Sequence, residues 1–106
     1  MTIFDKREEG FEKKFALDEE QKFKVEVRRN KLLGLWVAEK LGLSGEAAND
    51  YAKAVVAADF EAGDHDVVRK VMRDLIAKGV DIAESEVRAK REELTAQAVA
   101  QVKAGT

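Results

Sequence analysis

The sequence predicts an all-α protein, a four-helix bundle preceded by a mobile segment able to become helical. Three observations carry this. The 106 residues include no proline and are rich in helix formers. Three glycine-bearing joints cut the chain into lengths that suit helices. Between the joints, apolar residues recur at three- and four-residue intervals rather than in alternation.

The first predicted helix, 19–42, is apolar on two sides. At 100° per residue, Val25, Leu32, Leu33 and Trp36 share one side, and Phe23, Val27, Ala38 and Leu41 gather on another. Such a helix belongs at the centre of a bundle. Gly34 lies inside it, where glycine costs about 1 kcal/mol against alanine, and a close helix crossing is the expected reason. The joint "LGLSGE" supplies Gly42 to stop this helix and Ser44 to start the next.

The second helix, 46–62, repeats Ala47, Tyr51, Ala54, Val55, Ala58 and Ala62, small side chains that invite a close neighbour. The joint "EAGDHD" follows. The third, 65–78, has the clearest stripe: Val68, Val71, Met72, Leu75 and Ile76. After "KGVD", Asp81 stands three before Glu84, the spacing of a capping box. The fourth, 82–103, carries a thinner stripe of Ala83, Val87, Leu94, Ala98 and Val102. Joints this short make neighbouring helices antiparallel.

Composition narrows function by exclusion. With 19 basic and 21 acidic residues finely mixed, the chain lacks the basic face that nucleic-acid binding requires. The cluster Arg28, Arg29, Lys31 reads as a solvated helix face. No apolar run approaches the ~20 residues of a membrane span, and no secretory signal is evident. Absent cysteines rule out disulfides and thiolate metal sites and fit a reducing, cytoplasmic setting. His65 between Asp64 and Asp66, near Asp59 and Glu61, does not follow the calcium-loop pattern, and acidic residues are favoured at a helix start anyway. No nucleophile–base set and no phosphate-cradling glycine loop appear. An enzyme is the weakest reading, no cofactor or metal is expected, and Trp36 and Tyr51 read as core aromatics.

The opening segment is different. From Phe4 to Lys24, 13 of 21 residues are charged, yet four of the five phenylalanines lie there. On a helix, Phe4, Phe11 and Phe15 fall within about 40° of one another over roughly 16 Å. That is how a helix-in-groove ligand displays its anchors. Glu9 and Lys13 form a favourable i, i+4 pair, whereas Gly10 opposes the helix. So short and polar a peptide is marginally helical alone. Two readings stand side by side on these residues: a partner-binding segment that is frayed when free, or a lid whose phenylalanines fold back on the bundle.

The blocks "FDKREEGFEKKFALDEE", "RRNKLLGLWVAEKLGLSG" and "YAKAVVAADFEAGDHDV" resemble the zeta subunit family, inhibitors of the alphaproteobacterial F1Fo-ATPase. The similarity spans nearly the whole chain. It implies an inhibitory segment, residues 1–18, disordered or frayed when free, and a four-helix domain, residues 19–106. It also implies that the segment wedges into an alpha/beta catalytic interface near the gamma stalk and blocks ATP hydrolysis. Phe4, Asp5, Arg7, Glu8, Phe11, Glu12 and Phe15 match the family's "FDxRExxFExxF" pattern and become the expected partner-binding residues. The expected partners are the alpha, beta and gamma subunits of F1, which would hold the chain at the inner membrane without insertion. The free chain is expected to be monomeric. Two alternatives remain: a helical interaction module with another partner, and a small-ligand or nucleotide-binding bundle.

Overall fold

The computed structural model describes residues 17–61 and 67–105. Four helices occupy them: α1 (Glu19–Lys40), α2 (Gly45–Glu61), α3 (Val67–Lys78) and α4 (Glu84–Lys103). No strand occurs among the described residues. Each boundary lies within two residues of the predicted one. The seven expected partner-binding residues lie outside the described residues, as does the expectation about their mobility.

Local chemistry sets the helix ends. Asp18 is extended and its carboxylate accepts the Gln21 amide at 2.7 Å, while Gln21 Oε1 accepts the Asp18 amide at 3.4 Å. This reciprocal capping box satisfies two amides that the first turn leaves without helical partners. α1 and α3 end alike. Gly42 and Gly79 both take φ +82, open to glycine at little cost. The following Leu43 and Val80 amides then reach back to Ala38 and Leu75 at 2.8 and 2.9 Å. That is the Schellman arrangement, and Leu43 and Val80 both pack on the core. The predicted Asp81 capping box is absent. α4 starts later, at N-cap Ala83 with no side-chain cap. Val80 and Ile82 pack against the core and hold 80–83 as a connector, which places Asp81 outside the cap position.

α1 is central, as its two apolar sides predicted, and packs most heavily on α2 and α4. The main core joins Leu33, Val37 and Leu41 to Val55, to Val67, Val68, Val71 and Leu75, and to Val87 and Leu94. A second cluster holds Leu17, Val25, Ala98 and Val99. Gly34 marks the tightest crossing: a Cβ there would lie 2.6 Å from Ala52 Cα and 3.1 Å from its Cβ.

Four packing expectations need correction. Ala83, expected in the stripe of the fourth helix, is exposed at its N-cap. α2 buries Ala52 and Val55 and exposes Ala47 and Ala54, so its face is rotated from the predicted stripe. Alanines lie all round this helix, and hydropathy alone could not pick among them. Ile76 is 67% exposed, because α3 covers only the Val68–Val71–Leu75 side of its stripe. Phe23 is 55% exposed, and the core of α1 begins at Val25.

Candidate functional site

No helix among the described residues is long and apolar enough to cross a membrane. No group of three potential metal ligands occurs among them. Three features stand out among the described residues: an internal polar cross-link, a pair of aromatic–cation arrangements and an open groove.

The cross-link ties α1 to α2. Asn30 is fully buried and Asp59 nearly so. Asn30 Nδ2 donates to Asp59 Oδ2 at 2.8 Å, and Arg29 Nε donates to Asn30 Oδ1 at 3.3 Å. Buried polar groups of this kind are costly unless matched, so they fix which residues face each other. Asp59, considered above beside His65 as a metal ligand, is engaged by Asn30 instead.

Tyr51 and Trp36 are half-buried flanks of the main core, as expected of bundle residues. Tyr51 donates its hydroxyl to Asp74 Oδ2 at 2.7 Å, and Lys70 Nζ reaches the same oxygen at 2.7 Å. Burial alone would raise the Asp74 carboxyl, but the hydrogen bonds from Lys70 and Tyr51 and the nearby Lys70 and Arg73 charges outweigh it and hold the carboxyl below its ordinary value. Burial first, and then the bond to Asp74 and its charge, push the Tyr51 phenol far above its ordinary value. A phenol so held stays protonated and serves as a donor, not a base. The Trp36 ring lies under Lys40 Nζ at 4.7 Å and Lys90 Nζ at 5.9 Å, which links α1 to α4.

The groove runs along α1 and the end of α4 and encloses about 700 Å³. Phe23, Val27, Leu35 and Val102 give it an apolar lining, and Lys24, Arg28 and Lys31 supply three cationic groups. Arg28 Nη1 donates to Gln101 Oε1 across it at 3.1 Å. The sequence suggested a solvated face of Arg28, Arg29 and Lys31; Lys31 is exposed and Arg28 half-buried over an apolar trough, but Arg29 is buried beside Asn30, to which it donates, and so does not belong to that face. Such a surface suits an amphipathic helix with an acidic side.

At the root of the opening segment, Leu17 is buried with Val25, Ala98 and Val99. It does not project beyond the end of α1, so the chain bends at Asp18. The expected segment 1–18 included Leu17, but Leu17 belongs to the bundle core.

A family described as ATPase inhibitor subunit zeta matches residues 1–101. A protein whose solution NMR structure is known is 59% identical, with a TM-score of 0.67, over 79% of this chain and 96% of that one. No curated protein matches.

Proposed function

The chain belongs to the ATPase inhibitor subunit zeta family, and on that footing we propose that it inhibits ATP hydrolysis by F1 through its opening segment. The observation that carries the reading is that the family match includes the segment itself, with its phenylalanine stripe at helical spacing. The role is regulatory rather than catalytic. Phe4, Phe11 and Phe15 enter a groove at an alpha/beta interface near the gamma stalk. Each supplies about 1.5–3 kcal/mol if fully buried. Asp5, Arg7, Glu8 and Glu12 set the register and discriminate among partners. The wedge acts by binding one conformation of the interface better than the next, since equal binding to both would shift nothing. Ordering the segment takes back part of the gain. Bound in this way, the chain sits at the membrane periphery without entering the bilayer.

The test is steady-state ATP hydrolysis by the cognate F1 with added protein. The full chain is expected to inhibit, and Phe11→Ala with Phe15→Ala to abolish most of the effect. Lys14→Ala, off the stripe, should leave inhibition near that of the parent chain. Full inhibition by the double phenylalanine variant would overturn the wedge.

A further inference from the structure

The groove between α1 and the end of α4 carries charge of one sign in a chain that otherwise mixes its charges. We infer that it docks an amphipathic α-helix of another protein, one whose carboxylates recur at each turn beside its apolar face. Three observations carry this. First, the chain has 19 basic and 21 acidic residues and a net charge of −2. Yet the charged residues lining the groove are Lys24, Arg28 and Lys31, all cationic. Glu20 pairs with Lys24 at 3.2 Å, but both side chains are mostly exposed, and such pairs contribute little. Arg28 Nη1 donates to Gln101 Oε1, a neutral acceptor, at 3.1 Å. A carboxylate is a stronger acceptor for a guanidinium than an amide is, so an acidic partner competes well for Arg28.

Second, the cations are spaced for a helix. Lys24, Arg28 and Lys31 stand at i, i+4 and i+7 of α1, one turn apart along roughly 10 Å. A second helix laid along this row matches it with carboxylates that are also one turn apart. A phosphate site gathers its donors around one group, whereas these three are strung out in a line.

Third, the row runs between apolar walls. On the helical period, Phe23 and Val27 flank it on one side, and Leu32, with Val102 of α4, flanks it on the other. Phe23 is 55% exposed, and Val27, Leu32 and Leu35 are half-buried. From Phe23 to Leu35 the trough runs roughly 18 Å, which is room for three turns of a helix. A bilayer is met by apolar groups that project from one face; a trough between two helices receives a third. Docking here needs neither F1 nor residues 4–15. It goes beyond the function proposed above, and either can fail while the other stands.

The test uses the full chain and a synthetic helical peptide of three turns, with leucines on one face and glutamates at i, i+4 and i+7 beside them. NMR shift changes on titration give both the site and the affinity, and they are expected at Phe23, Val27, Leu35 and Val102. A peptide of the same composition, with its glutamates moved to the far face, should bind at least about tenfold more weakly. Lys24→Glu with Lys31→Glu alters two exposed side chains, so the fold should survive, as circular dichroism would show. This variant should bind the glutamate peptide about tenfold more weakly and should prefer a peptide with lysines in the same places. Phe23→Ala should also weaken the glutamate peptide, by about tenfold. Equal binding of the two glutamate peptides, shifts confined to other faces of the bundle, or no effect of Phe23→Ala would overturn the docking site. So would failure to bind the glutamate peptide by a chain that binds phosphatidylserine vesicles or, by sedimentation, a second copy of itself. Binding that appears only with Phe11→Ala and Phe15→Ala would mean that the chain covers its own groove, and would overturn the proposal too.

Discussion

At the scale of single residues, two sites give opposite lessons about what a helix tolerates. Gly34→Ala should gain about 1 kcal/mol of helix propensity. The added carbon would lie 2.6 Å from the Ala52 backbone, however, and backbone does not yield cheaply. Overpacking of this kind costs about 1–3 kcal/mol. Net destabilisation is expected, and a lower midpoint in urea would show it. Trp36→Ala should be milder than a fully buried tryptophan would imply. The ring is only half-buried and keeps Lys40 and Lys90 at its face, so a loss of about 2 kcal/mol is expected by denaturant titration. Asp74 ties stability to pH. Its folded carboxyl lies below its ordinary value, so its contribution is present above about pH 4 and is lost as the pH falls through the folded pKa. Thermal melts between about pH 6 and pH 2 should therefore fall less steeply for Asp74→Asn than for the parent chain.

At the scale of elements, the caps divide the labour. α1 depends on Asp18 and Gln21, whereas α4 starts without a side-chain cap. Asp18→Ala should cost about 1 kcal/mol, seen in the thermal midpoint, and amide exchange should quicken in the first turn of α1. These elements were also unequally legible from sequence. The joints at Gly42 and Gly79 located the ends of α1 and α3, because these glycines take backbone angles other residues avoid, while the joint at Gly63 lies outside the described residues. The α3 stripe was readable since Val68, Val71 and Leu75 stand among charged neighbours. The face of α2 was not, because Ala47, Ala52 and Ala54 have the same hydropathy and only packing against Gly34 selects Ala52. Asn30 and Asp59 were invisible for a different reason. Polar residues are ordinarily outside, and what buries this pair is each other. The Asp18–Gln21 box could have been found, since its spacing is the one sought at Asp81 and Glu84.

For the whole molecule, the place to cut the chain follows from Leu17. A protein beginning at residue 17 keeps the Leu17–Val25–Ala98–Val99 cluster and should fold with nearly the parent's thermal midpoint. Removing Leu17 as well deletes a buried leucine and should cost about 2–4 kcal/mol. Circular dichroism melts of the two truncations would separate them. Under the proposed function, the chain starting at 17 should be folded yet leave F1 hydrolysis uninhibited. A folded fragment that inhibits fully would move the contact to the bundle.

The crossing at Gly34 also limits how the molecule can move. α1 and α2 meet there with almost no side chain between them, and Asn30 meets Asp59 nearby. Sliding one helix past the other by a turn would push a larger side chain into the Gly34 gap and set a buried carboxylate against apolar neighbours. Shear motions that need such steps are closed to this pair. Any rearrangement on meeting a partner is left to the bend at Asp18 and to α3 and α4, while α1 and α2 travel as one piece.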